Sequence, residues 1–120
     1  MSKSRRNIDY LGDIKEAIDS IAEYINGLTF DDFLSDKKTR DAVVHNLEII
    51  GEATKNLSNH LRKKYQHIHW KGLAGLRDRL THGYFDINYE IVWDIARNEL
   101  PKLLIQIKEI LAIETIEPIT

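Results

Sequence analysis

Apolar residues recur at helical spacing along most of the chain. From Ile8 they fall at Leu11, Ile14, Ile18, Ile21 and Ile25, steps of 3, 3, 4, 3 and 4 that gather on one face of a helix of about five turns. Asn7 is the expected N-cap, and Asn26-Gly27 the expected stop, because both residues tolerate a left-handed backbone. Thr29 followed by Asp31 and Asp32 predicts a short helical turn over Phe30 to Leu34. Asp36 opens a longer helix with Val43, Leu47, Ile50 and Leu57 on its apolar side, joined by Ala53 and Thr54. Arg40, Asp41, Glu48, Glu52 and Lys55 then face outward or into a cleft. Gly51 costs a helix about 1 kcal/mol relative to Ala, and a closely crossing backbone is the usual reason to keep it.

Ser58 to Trp70 reads as a connector with one short helix capped by Ser58. Helical spacing returns from Trp70 to Thr81 through Leu73, Leu76 and Leu80, with Gly83 as the stop. Asn88 caps a last helix whose buried side is expected to hold Ile91, Ile95, Leu103, Leu104, Ile107, Ile110 and Leu111. Pro101 lies inside it, lacks a backbone donor, and is expected to bend or restart it. Residues 114–120 read as a frayed tail after one domain over 1–113. No useful β-alternation appears, so the expected fold is all-α: an up-and-down four-helix bundle with short extra turns.

Composition adds bounds. A chain of 120 residues, 42% hydrophobic and 30% charged, suits one folded core. No apolar run approaches the roughly 18 to 20 residues of a membrane span, and the segment after Arg6 is amphipathic, so neither signal peptide nor anchor is expected. The absence of cysteine removes disulfides and thiolate metal sites and fits a reducing compartment, which makes cytoplasm the expected location. The net charge of -2 conceals a division into blocks. Residues 55–82 hold seven Lys/Arg against one Asp/Glu, whereas the segments on either side are acidic. A polyanion would be drawn to that middle segment, although a solvated basic face would look the same.

The basic segment ends on Leu76-Arg77-Asp78-Arg79-Leu80-Thr81-His82-Gly83-Tyr84. On one ideal helix Arg77 and His82 would point about 140° apart. They can serve one substrate only if the helix ends before His82, with Gly83 redirecting the chain, or if two copies assemble the site. Asp78 and His82 are spaced i, i+4, so Asp78 could orient the imidazole. The residue types suit metal-free RNA cleavage. Arginine clamps a phosphate and stabilises transition-state charge, and histidine moves a proton to or from the reacting oxygens. Such a pair would use the 2′-hydroxyl as nucleophile and leave a cyclic phosphate. Arg77-Asp78-Arg79 could equally be a salt-bridged surface, and Tyr84 an aromatic closing a helix end. His60, His67 and His69 invite a metal reading, but the His67-x-His69 pair would need a third ligand and no acidic cluster lies nearby, so a wet basic loop fits them better.

The Arg-x4-His-x-Tyr stretch resembles the signature of the HEPN superfamily, in its HepT-like branch paired with minimal nucleotidyltransferases. Ile50-Gly51-Glu52-Ala53, Trp70, Val92-Trp93 and Leu100-Pro101 look like the same family. Gln66 departs from it, where proline is expected after Tyr65. The resemblance implies a helical dimer that brings two motifs into one basic cleft, with Arg77 and His82 as the ribonuclease pair and no cofactor. It implies a toxin of a type II toxin–antitoxin module, neutralised when the partner nucleotidyltransferase transfers nucleotide monophosphate to Tyr84. Asp78 and Glu52 are the supporting candidates, Glu52 either lining the cleft or pairing with Lys55. A reading from another class is a non-catalytic helical dimer that docks the nucleotidyltransferase and its substrate; a plain structural bundle is the third.

Overall fold

Helix α1 (Asn7–Ile25) buries the predicted stripe from Leu11 onward: Leu11, Ile14, Ile18, Ile21 and Ile25 all lie in the core, with Ala17 beside them, while Ile8 is half-buried. The computed structural model describes residues 5–82 and 86–116, with the backbone alone for His82. The N-cap of α1 is Arg6 rather than Asn7. The carboxylate of Asp9 reaches back to accept from the Arg6 N–H at 2.8 Å, a charge-assisted bond that satisfies the helix start. Asn7 is thereby free to bind a distant part of the chain. Its amide donates to Ser58 Oγ and accepts from the Ser58 N–H, both at 3.0 Å. At the other end Gly27 alone takes the left-handed conformation, at φ 79°.

Helix α2 (Phe30–Ser35) starts at the expected Thr29–Asp32 capping pair. Asp36 caps α3 (Lys37–Lys55), accepting from the Thr39 N–H and hydroxyl at 3.1 and 2.7 Å. α1 packs along both α3 and the last helix, so it lies at the centre of the bundle. Val43, Leu47, Ile50, Ala53 and Thr54 line the buried side of α3, and Leu57 stays in the core just beyond its end. Arg62, on helix α4 (Asn59–Lys64), donates to the carbonyls of Thr54 and Lys55 at 2.8 and 3.1 Å and so satisfies the C-terminus of α3.

The predicted helix over Trp70–Thr81 is two short helices, α5 (Trp70–Ala74) and α6 (Leu76–Leu80), parted at Gly75. A two-stranded antiparallel pair follows, β1 (Thr81–His82) with β2 (Asp86–Ile87), in the register Thr81 to Ile87 and His82 to Asp86. The fold remains all-α apart from these four residues among those described. Helix α7 (Tyr89–Asp94) passes through a π-helical turn, Ile95–Glu99, into α8 (Leu100–Ile116).

Pro101 therefore does not stop this helix. Having no N–H, it cannot serve a carbonyl one turn back; the chain inserts one extra residue, and the Leu100 N–H bonds the Ile95 carbonyl, i to i−5. The buried stripe runs Val92, Ile95, Ala96, Leu100, Leu103, Ile107 and Ile110. Ile91 is off it at 36% exposure, contrary to expectation, because Val92 occupies the core-facing position of that turn.

The tail also begins later than expected. α8 continues through Glu114 to Ile116, because Lys64 holds the Glu114 carboxylate at 2.8 Å and the Tyr65 hydroxyl donates to the same oxygen. Burial opposes the charge on Glu114, but the bonds from Lys64 and Tyr65 outweigh it and hold its pKa below the ordinary 4.5. A carboxylate with a depressed native pKa adds stability that is present above pH 4.5 and is lost as pH falls through the native value. Glu114→Gln should therefore be less stable than wild type at neutral pH, and the difference should shrink on acidification, as read from denaturant midpoints. An undiminished difference in acid would rule the clasp out as its cause.

Candidate functional site

The site is built on α3. Gly51 presents bare backbone where α5 and α6 cross: a Cβ placed there would meet the Leu73 carbonyl at 3.4 Å, the Ala74 carbonyl at 3.8 Å and Leu76 Cβ at 3.8 Å. The close approach expected from that glycine is thus present. Leu76 is fully buried against α3 and fixes the face that α6 shows to solvent. Arg77, one residue on, is exposed at a cleft of about 230 Å³ that also borders Glu48, Gly51, Glu52, Lys55 and Ala74.

The cations of the basic segment divide by their partners. Lys55 reaches Glu52 at 3.4 Å, Lys64 holds Glu114, and Arg79 holds Glu99 through two bonds of 2.8 and 3.3 Å. Arg62 is committed to capping α3. Lys63, Lys71 and Arg77 have no ion-pair partner among the described residues. Of these three, Arg77 borders the cleft. Glu52 borders this cleft with Arg77 and pairs with Lys55.

α6 does not carry Arg77 and His82 on one helix. α6 ends at Leu80, where Thr81 turns to an extended backbone (φ −95°, ψ 148°), two residues before Gly83 could act. Asp78 and His82 consequently do not share a helix, and the i, i+4 relation between them is absent. Asp78 is exposed; its carbonyl accepts from the Thr81 hydroxyl at 3.3 Å. The His82 side chain, Gly83 and Tyr84 lie outside the described residues.

Asn88 closes this segment. Its N–H donates to the Leu80 carbonyl at 2.8 Å, satisfying the last turn of α6, while its side chain accepts from the Glu90 and Ile91 N–H groups at 3.1 and 3.2 Å and caps α7. Aromatic packing anchors α7 in turn. Phe33 lies against Tyr89 and Trp93, with ring centroids 6.3 and 5.1 Å away, and Arg40 covers the Tyr89 ring at 4.8 Å. Sequence patterning does not mark these anchors as part of the site; an Asn before an apolar run is the one signal that points near them.

With this geometry in place, comparison with known proteins is decisive. The family model described as "Ribonuclease HepT-like" matches residues 14–110. The chain belongs to the HepT-like family. A protein of Methanocaldococcus jannaschii named "Putative RNase MJ0127" is 51% identical over 102 residues, 85% of this chain and 84% of the relative. One of Thermococcus cleftensis named "Probable ribonuclease HepT" is 43% identical over 99 residues, covering 82% of this chain and 90% of the relative. No solved structure matches the chain significantly. The HepT-like match spans the helices that carry both Arg77 and its α3 support.

Asn88→Ala should cost about 1 kcal/mol by exposing two orphan N–H groups at the start of α7, whereas Asn88→Asp should retain the cap. Chemical denaturation of both variants checks this; equal loss in the two would mean that the cap is not what holds the segment.

Proposed function

We propose that this HepT-like protein is a metal-independent endoribonuclease and the toxin of a type II toxin–antitoxin module. The observation that carries the reading is Arg77: exposed, at a cleft mouth, unpaired among the described residues, on a helix that ends just before His82. Its relatives bear ribonuclease names.

In this reading Arg77 binds the scissile phosphate and stabilises the charge that grows on its oxygens. His82 takes the proton of the 2′-hydroxyl as that oxygen bonds to phosphorus, or donates one to the 5′-oxygen as its bond to phosphorus breaks. The products are a 2′,3′-cyclic phosphate and a 5′-hydroxyl. Glu52 borders the same cleft, where its pairing with Lys55 offsets its charge against the incoming phosphate. Asp78 sits next to Arg77 and supports the site through the α6 terminus rather than through a helical contact with His82. The cleft of one chain is small, and a homodimer that sets two motifs face to face would enlarge it. A partner nucleotidyltransferase would silence the enzyme by placing a nucleotide monophosphate on Tyr84, adding a phosphate that competes for Arg77 and repels RNA.

Purified protein should cleave RNA in the presence of a chelator, and Arg77→Ala and His82→Ala should each lower the rate about 100-fold or more. A 3′-hydroxyl product end would reject the mechanism. Growth arrest on expression, relieved by either substitution, tests the toxin role, and intact mass after incubation with the partner enzyme and ATP tests Tyr84. Protein that leaves RNA intact yet co-purifies with the nucleotidyltransferase would favour the docking module instead.

A further inference from the structure

A second and larger cleft, about 550 Å³, opens on the other side of α6, between the connector, α5, the π-helical turn and α8. Its floor is apolar: Leu73, Ile95, Leu100 and Leu103 are all buried. Its rim is polar, with His69, Arg79, Glu99, Lys102 and Gln106. A recessed apolar floor with a few convergent polar groups, in a volume of several hundred Å³, is the form of a small-ligand site rather than of a flat protein contact.

The rim specifies the ligand. Arg79 is held by both oxygens of Glu99, which fixes its planar guanidinium at the edge of the cleft. Lys102 is exposed and has no ion partner among the described residues. The His69 imidazole lies against Gly72: a Cβ there would fall 2.8 Å from its Cδ2 and 3.2 Å from its Nε2, so the missing side chain is what lets the ring sit at the cleft wall. An apolar floor, a flat imidazole and guanidinium, and an ammonium at the rim together accommodate a planar ring carrying a phosphate. Position links this cleft to the first. Arg77 and Arg79 are two residues apart, about 200° around α6, so one short helix offers a cation to each cleft.

We infer that this cleft is a nucleotide subsite, which receives an unpaired base of the RNA, with its phosphate on Lys102, beyond the step that Arg77 clamps. Such a subsite rests on the RNA reading above and narrows its substrate class to single strands, because a base held in a duplex cannot enter a recess of this kind. The π-helical turn acquires a role here, since it supplies both Ile95 to the floor and Glu99 to the rim.

The test uses the full chain and a single-stranded oligonucleotide with 2′-O-methyl riboses, which cannot be cleaved by 2′-hydroxyl attack. Binding is followed by fluorescence anisotropy at several salt concentrations. Lys102→Ala should weaken binding and lower the log–log salt slope by about 0.7, the contribution of one phosphate contact on a single strand. Gly72→Ala favours helix formation and should leave the fold as stable as wild type or more so; by displacing His69 it should weaken binding about fivefold or more. Adenosine monophosphate should shift the amide resonances of Gly72, Leu73 and Leu103. Unchanged affinity and slope in both variants, or no binding by wild type, would overturn the subsite. So would a Lys102→Ala protein whose oligomeric state changes while its RNA affinity does not, since the cleft would then be a protein contact. Because the ligand is uncleavable, a wild type that binds it with these dependences yet cleaves no RNA would remove the catalytic reading and leave the subsite standing.

Discussion

The hydrogen bond from the Asn88 N–H to the Leu80 carbonyl closes α6 from outside the helix. A five-residue helix has little stability of its own, because nucleation fixes several residues for each bond gained. Its last carbonyls need partners, and continuing the helix would be the ordinary source of them. Here Asn88 supplies one from eight residues downstream, which lets the chain turn extended at Thr81 and pair with Asp86–Ile87. The same side chain caps α7, so one residue ends one helix and begins the next. The hydrogen bond and the Thr81–Ile87 pairing thus tie Leu80 to Asn88 on either side of the motif histidine's backbone.

What holds the other half of the motif is close packing. Arg77 is placed by Leu76, and Leu76 by the bare backbone of Gly51. A Cβ at 51 would already touch the Leu73 carbonyl, so a side chain longer than alanine's would push on backbone that cannot yield as a flexible side-chain end can. Arg77 and the end of α6 are thus placed by different means, a helix crossing on α3 and a terminal hydrogen bond from Asn88.

These differences explain what can be read from the chain. The apolar stripes of α1 and α3, the Thr29 and Asp36 caps, the Asn88 cap and the close approach at Gly51 are all legible, because each rests on local spacing or on a residue type with one dominant use. The N-cap of α1 is not, since Arg6 is an unusual cap that works only through Asp9. The break at Gly75 is hidden because Leu73, Leu76 and Leu80 keep helical spacing across it. Pro101 announces an irregularity without revealing its form: bend, restart and π turn all answer a missing donor, and the structure takes the π turn with Ile95 and Leu100 both buried. The full length of α8 escapes local reading because the Lys64–Tyr65–Glu114 clasp joins residues some fifty positions apart. At the motif, the divergence of Arg77 and His82 on an ideal helix calls for a break or a second copy, and the helix does end before His82, with Thr81 extended.

Charge alone is a poorer guide than charge with its partners. The positive block over residues 55–82 suggests a broad basic face, yet several of its cations are engaged in ion pairs or in capping α3. Pairing lowers the net field and fixes geometry, so the residual attraction for a polyanion is concentrated where a cation is left over. Arg77 is such a residue beside the smaller cleft, and Lys102, outside the basic block altogether, is another beside the larger one. A protein of net charge -2 can therefore present discrete phosphate-sized positive sites without being a general nucleic-acid coater. On the proposed reading, phosphate recognition would depend on the placement of a few unpaired cations, Arg77 on α6 and Lys102 on α8.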